Sequence, residues 1–342
     1  MASMPSHRSA GTPPTSEDVA RAAGVSRATV SYVLNNTRGG RVSEATRERV
    51  RDAARQLGYV PHAVARALRA GRSGIVLLTT PAVTAGPLFA QYFAELQLAL
   101  SELGYTAVLY GPTGHRGAEA ARRWAELRPD AVLSLMDDSL EEQAVGLLHR
   151  AGIGVVVSAG PAPVLGAHAL VADQVQVGAL AVEHLAAVGR RNIGVIVPAD
   201  ASLRRFAEPR FSGAETAARA HPSVTVVRQE LSLDEEGAAA QWVELVVRTR
   251  TDGLFAYNDE YASVAVRALQ DAGLRVPEDV AVVGADDLLI GRLLRPELTT
   301  VRMDFTPARE IAAMLDRLIS APDTPAETRS YLRTRLVIRE TA

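Results

Sequence analysis

The sequence predicts two folded parts: a small all-α unit near the N-terminus and a larger α/β body of parallel sheets flanked by helices. Three observations carry that prediction. Residues 15–60 hold three short helical patterns set off by a glycine turn and a polar loop, whereas from Ile75 onward short β-branched runs alternate with amphipathic stretches. Charge is divided between the same two regions. Residues 1–74 carry 12 Arg against 5 Asp and Glu, and the remainder carries 25 Arg against 34, so a net charge of −2 conceals a basic head on an acidic body.

In the head, Thr15 can cap the first helix, with Asp18 three residues on in the manner of a capping box. Val19, Ala22 and Ala23 then share one helical face. Gly24 supplies a tight turn, and Ser26 is a second N-cap opening a helix whose Val30, Val33 and Leu34 point inward. A third helix is predicted over 44–57, capped by Ser43, with Val50, Ala53, Ala54 and Leu57 inward, and stopped by Gly58 and Pro61. Two short helices at a steep angle, buttressed by a third, form the helix-turn-helix arrangement that lets one helix enter a DNA major groove. A basic balance suits a polyanionic partner. All 37 basic residues are Arg, so every side-chain cation offered to phosphate is a planar fork.

In the body, strand-like runs fall at 75–79, 105–110, 131–135, 154–157, 193–197, 224–228, 253–256 and 280–283. Helical stretches lie at 88–103, 175–188, 213–220, 238–248 and 260–272. With 342 residues, 47% of them hydrophobic, the chain can bury a large core in more than one domain. The absence of Cys excludes disulfide and thiolate chemistry. No apolar run approaches the ~20 residues of a membrane helix. Residues 1–14 are polar and Pro-rich, which reads as a disordered tail and not a secretory signal, so a cytoplasmic, nucleoid-associated protein is expected. The seven His are scattered with no pair at ligand spacing, so neither metal nor cofactor is expected. The glycine-rich run 111–117 lacks phosphate-loop or dinucleotide spacing and reads as a surface turn, and no Gly-x-Ser-x-Gly elbow occurs. These observations exclude the common enzyme classes.

The stretches Asp18-Val19-Ala20, Ala23-Gly24-Val25-Ser26, Thr29-Val30-Ser31 and Leu34-Asn35 recur at fixed spacing with Val42-Ser43, Thr46-Arg47, Val50, Ala54, Leu57-Gly58-Tyr59 and Pro61. Together they resemble the signature of the lactose-repressor (LacI/GalR-type) family of bacterial transcriptional regulators, and the likeness continues through the whole chain. The loop Thr37-Arg38-Gly39-Gly40-Arg41 departs from it, being about two residues longer than the usual form. The resemblance implies a DNA-binding domain at 15–60, a hinge helix and linker at 61–73, and an effector-binding and dimerisation core at 74–342. It further implies that Arg27, Ala28 and Tyr32 face base edges and that Thr29, Ser31 and Asn35 meet phosphate, with Thr15 and Ser26 also among the DNA-binding residues. Arg66 and Leu68 lie in the hinge, Leu68 matching a wedge that opens a central base step in the minor groove.

For the core, the resemblance implies a two-lobed, periplasmic-binding-protein-like fold. Lobe 1 is expected at about 74–189 and 304–321, and lobe 2 at about 190–303 and 322–342. A ligand would sit between the lobes at the carboxyl ends of strands. Implied effector contacts are Phe89, Asp173, Arg210, Asn258, Asp286 and Phe305, while Asp259 and Asp287 read as caps or inter-strand partners. Tyr257 either narrows the pocket or packs inside. Departures concern the ligand: Thr79-Thr80-Pro81 lacks an acidic residue, Gly86 stands where Asn commonly precedes Pro, and no Trp lies near Gly237, Trp124 and Trp242 reading as core. The expected protein is a homodimeric repressor of a pseudo-palindromic double-stranded operator, with a sugar or related metabolite as effector. No heptad tail follows Glu340, so a dimer and not a coiled-coil tetramer is expected. Two alternatives stay open here: a ligand-independent DNA-bending regulator, and a solute-binding receptor without transcriptional role.

Overall fold

The computed structural model describes residues 13–34, 42–60, 72–80, 87–111, 114–135, 140–233 and 238–342. Asn35, the 37–41 loop, the 61–71 segment with Arg66 and Leu68, most of the N-terminal tail, and positions 81, 86 and 237 lie outside the described residues. The chain divides into two compact units, 1–74 and 75–342.

In the first unit, α1 (Ser16–Ala23), α2 (Arg27–Leu34) and α3 (Glu44–Leu57) enclose a core of Val19, Ala20, Ala23, Val30, Val33, Val50, Ala53 and Ala54. Thr15 and Asp18 form the reciprocal capping box, and Gly24 ends α1 in the left-handed conformation at φ 65°. Two inward assignments are corrected. Ala22 is exposed and Ala20 takes its place, because positions 19, 20 and 23 close the stripe on so short a helix. Leu57 is 39% exposed. Gly58 reverses the chain, Tyr59 donates its N–H to the Ala54 carbonyl, and Tyr59 covers the edge of the core instead.

In the second unit, β1 (Ile75–Thr79), β2 (Thr106–Tyr110), β3 (Ala131–Leu135), β4 (Val155–Gly160), β5 (His168–Val171) and β11 (Thr328–Ser330) form one sheet. Their order among the described residues is β11-β5-β4-β3-β1-β2, all parallel. Side chains alternate across it. Val76 and Leu78 face α4 (Pro87–Glu102) and α12 (Ala308–Ser320), while Leu77 faces α5 (Gly117–Glu126) and α6 (Glu142–Arg150), where Trp124 is buried. The second sheet comprises β6 (Asn192–Pro198), β7 (Thr225–Leu231), β8 (Gly253–Phe255), β9 (Ala281–Ala285), β10 (Thr299–Phe305) and β12 (Leu332–Val337), in the order β12-β10-β9-β8-β6-β7. Only β12 of these described strands runs antiparallel, against β10. It is accompanied by α7 (Val175–Ala187), α8 (Arg204–Arg219), α9 (Ala238–Arg248), α10 (Asp259–Asp271) and α11 (Leu289–Leu293). Trp242 is buried here and donates to Gln229 Oε1 at 3.0 Å. α8 begins nine residues before the expected 213, running through Pro209, which removes a single ladder bond near the first turns.

The first lobe crossing differs from the one expected. α7 packs on the second sheet, so the first crossing falls at 172–174 and not near 189. Phe305 still pairs with Leu332 in the second sheet, whereas Ser330 pairs with Val171 in the first, which puts the other crossings at 306–307 and at Tyr331. The three connecting segments are bonded together. The Tyr331 N–H donates to the Val171 carbonyl at 2.8 Å, and the Thr306 N–H donates to the Tyr331 carbonyl at 2.9 Å.

What commits α7 to the second lobe is its contact with α8. A Cβ built on Gly178 would overlap the Arg210 carbonyl, and one on Gly213 would overlap the Val175 carbonyl, so the two helices touch backbone to backbone. Carbonyls on both sides leave nothing flexible to give way. Gly178→Ala is therefore expected to destabilise the second unit by about 3 kcal/mol, the upper end of ordinary overpacking. Urea unfolding measures this, and a midpoint unchanged from wild type would contradict the contact.

Candidate functional site

Helix α2 starts at a cap built from two hydroxyls. Ser26 Oγ accepts the Thr29 N–H at 3.1 Å and lies 2.9 Å from Thr29 Oγ1. With Val30 and Val33 held in the core, the opposite side of α2 presents Arg27, Ala28 and, one turn on, Tyr32, which is 45% exposed. Ser31 and Thr29 flank that stripe, half-buried. Thr15 is exposed, but its hydroxyl is engaged, donating to Asp18 Oδ2 at 2.7 Å. Arg21, Arg47, Arg51 and Arg55 pair with Asp18, Glu44 and Asp52 on their own helices, whereas Arg27 makes no ion pair among the described residues. The structure thus leaves a planar cation, a methyl and a phenol on one outward stripe, a set suited to base edges and sugars.

In the second unit, Asp173, the Tyr257-Asn258 pair and Asp286 each follow a parallel strand, at the ends of β5, β8 and β9. Arg210 enters from α8 and is only 4% exposed. Its Nε donates to Gln174 Oε1 at 2.8 Å, Nη1 to the Tyr257 carbonyl, and Nη2 to Met303 Sδ at 3.5 Å. Its guanidinium carbon lies 4.8 Å from the centroid of the Tyr257 ring, and Nη2 stands 3.6 Å from Asp286 Oδ1. That oxygen is buried without a hydrogen-bond partner. Burial raises the Asp286 carboxyl above the ordinary range despite the nearby Arg210 charge. Asp286 also has φ 98°, a conformation costing a non-glycine residue about 1–3 kcal/mol. Phe89 lies 6.0 Å from Phe305, ring to ring, and Phe305 continues into Tyr92 and Tyr331.

The structure brings Arg210 and Asp286 together, and separately Phe89 and Phe305. Asp173 and Asn258 act locally as helix caps. Asp173 Oδ1 accepts the N–H groups of Val175 and Gln176, and Asn258 Oδ1 accepts that of Tyr261. Asp287 pairs with Arg302 and Arg339. Gln174, Met303 and the Tyr257 carbonyl were missed in the sequence, since a glutamine, a methionine and a main-chain oxygen carry no chemical signature. The neighbourhood of Gln174, directly after Asp173, was the available hint.

Asp259 is fully buried at the start of α10, where it accepts the Leu288 N–H and the Thr300 hydroxyl, each at 2.6 Å. It thereby pins the 286–288 segment to β10, and Gly284 leaves room for its carboxylate. Desolvation pushes its pKa up to about 7 against the two hydrogen bonds. Among the described residues no group of three or more His, Cys, Asp or Glu could hold a metal ion, and no helix is long and apolar enough to cross a membrane.

A helix-turn-helix unit in one chain with two mainly parallel sheets and a polar cluster at their strand ends defines a class of protein, the one-chain regulator with a ligand-domain-like core. Comparison with known proteins agrees. A model of bacterial regulatory proteins of the lacI family matches residues 15–62, and a periplasmic binding protein-like domain matches residues 182–342. The chain is 35% identical to the HTH-type transcriptional regulator CelR of Thermobifida fusca, covering 96% of this chain and 98% of that one. It resembles the solved CelR–cellobiose complex with a TM-score of 0.62 at 29% identity, covering 96% of this chain and all of that one. The Lac repressor bound to ONPG in its repressed state gives a TM-score of 0.77 at 25% identity, covering 97% of this chain and all of that one. The chain belongs to the LacI family of bacterial transcriptional regulators, which are not enzymes.

The Asp259 carboxyl carries a testable sign. Its folded pKa near 7 lies far above the unfolded value of about 3.9, so the folded state holds the extra proton between them. Its contribution to stability is full below about pH 4 and is lost as pH rises through 7. In urea unfolding between pH 5 and pH 8, wild type should lose stability relative to Asp259→Asn. Parallel profiles for the two proteins would mean an ordinary carboxylate.

Proposed function

We propose that this regulator is a homodimeric, effector-responsive repressor of a pseudo-palindromic operator, acting in the cytoplasm on the nucleoid. The observation that carries the DNA half is the outward stripe of Arg27, Ala28 and Tyr32 on a helix whose other side is fixed in a capped core. In this reading Arg27 forks onto a guanine edge, Ala28 meets a thymine methyl, Thr29, Ser31 and Asn35 set the phosphate register, and Thr15 and Ser26 lie beside them at the DNA. The 61–73 segment, too short to be a stable helix alone, folds on DNA as a pair, with Arg66 at the backbone and Leu68 wedged into the central step.

The effector half rests on Asp286. A buried carboxylate oxygen that accepts no hydrogen bond and has only a 3.6 Å ion pair with Arg210 favours a ligand that donates hydroxyl or amine hydrogens. Phe89 and Phe305 offer an aromatic surface to its apolar side, and Asp173 and Asn258 stand just beyond the ends of β5 and β8. A sugar or related polyhydroxylated metabolite suits that set, in keeping with the cellobiose named in the similar CelR complex. The orphaned oxygen also favours a sensor over a ligand-independent DNA-bending regulator, which would have no use for it. Effector and operator would then alter each other's affinity by an equal factor, typically ~1–3 kcal/mol.

Dimerisation is supported by large apolar side chains left in solvent: Leu289, Ile290 and Leu293 on α11 are 62%, 40% and 68% exposed, and Leu98 on α4 is 61% exposed. Light scattering should give twice the chain mass, and a monomer or stable tetramer would contradict it.

Binding of DNA variants by Arg27→Ala tests the reading helix. Preference should relax at one base position per half-site, by about 1–3 kcal/mol. Uniform weakening across sequences would make Arg27 a phosphate contact. Leu68→Ala should reduce specific binding far more than non-specific binding, because only a kinked complex uses the wedge.

A further inference from the structure

We propose that Gln174 is a positioning residue: it fixes the effector arginine, Arg210, to the first lobe crossing, so that displacement of Arg210 alters the angle between the lobes. The inference rests on the inter-lobe cleft being the effector site, as proposed above.

Gln174 is 3% exposed, and both ends of its carboxamide are occupied. Oε1 accepts from Arg210 Nε at 2.8 Å, and Nε2 points to Met303 Sδ at 3.9 Å. Its backbone is equally constrained, because Asp173 Oδ1 holds the next two N–H groups and starts α7. Met303 receives Arg210 Nη2 at 3.5 Å. Gln174, Arg210 and Met303 therefore close a buried polar triangle.

The location of that triangle gives it a consequence. Gln174 lies in the 172–174 crossing, and Met303 lies on β10, three residues before the crossing that starts at Thr306. Arg210 thus holds one hydrogen bond to the 172–174 crossing and one to β10 just ahead of the 306–307 crossing, while the same Nη2 stands 3.6 Å from Asp286 Oδ1. A guanidinium is planar, so its Nε and Nη2 cannot move independently. A ligand that draws Arg210 toward or away from Asp286 must shift both attachments together. Gln174 Oε1 is the strong, neutral attachment, since the thioether sulfur is a weak acceptor. Removing it leaves a buried charged N–H without a partner, and Arg210 is released from the crossing.

The test needs neither effector nor operator. The chain has no Cys, so Glu126→Cys and Arg219→Cys introduce one spin label in each lobe of the full-length protein, at exposed helix ends. Pulsed electron spin resonance then reads the inter-lobe distance. Gln174→Met preserves side-chain volume but removes the strong acceptor; it should displace the mean and broaden the distribution. Gln174→Glu keeps an acceptor for Arg210 Nε and should retain the wild-type distance. A packing role predicts the reverse order, with Met tolerated and Glu disruptive. An unchanged distribution in Gln174→Met, or equal shifts in both variants, would overturn the proposal. Should Gln174→Met fail to fold, Met303→Leu decides, with a smaller displacement expected and no displacement contradictory. Operator binding by the same unsubstituted protein is measured separately, so loss of the function reading and loss of this inference give different results.

Discussion

A single buried guanidinium organises the second unit. At 4% exposure Arg210 cannot rely on water, and each of its donors has to be met by protein or ligand. Gln174, the Tyr257 carbonyl and Met303 meet them from the first crossing, the end of β8 and β10. Asp286 balances the charge from the end of β9. Satisfying one cation therefore fixes the relative positions of four chain segments, and the remaining open valence is an acceptor oxygen on Asp286. Asp259 supports the arrangement from behind, holding the segment that carries Asp286 against β10.

That arrangement is possible because α7 and α8 touch through Gly178 and Gly213. Any side chain at either position would move the Arg210 backbone away from Gln174. The same contact explains why α7 belongs to the second lobe although it follows a strand of the first. With the chain changing lobes at 172–174, at 306–307 and at Tyr331, the connections gather around one set of hydrogen bonds and one aromatic group, Tyr92, Phe305 and Tyr331.

Much of the first unit was readable from residues alone, because caps and stops are local. Thr15 with Asp18, Gly24, Ser26, Ser43 and Gly58 mark helix ends through bonds to neighbours three or four positions away. Ala22 and Leu57 were misplaced where a helix is too short, or ends too soon, for periodicity to decide a face. In the body, the strands around 75–79 and 131–135 were plain, yet α7 could not be assigned to a sheet. Val177, Ala181, Val182 and Leu185 say that it is buried and nothing of what covers it. Arg210 and Asp286 came from resemblance, and their pairing from the structure. Gln174 and Met303 stayed hidden because their part depends on long-range geometry that no local pattern encodes.

The most direct measurement is selection of genomic DNA fragments by the purified full-length protein, followed by sequencing. A pseudo-palindrome with half-sites about one helical turn apart is the predicted result, as two copies of α2 from a symmetric dimer would require. Recovery of fragments without a common motif, bound only through salt-labile contacts, would contradict sequence-specific regulation by this chain.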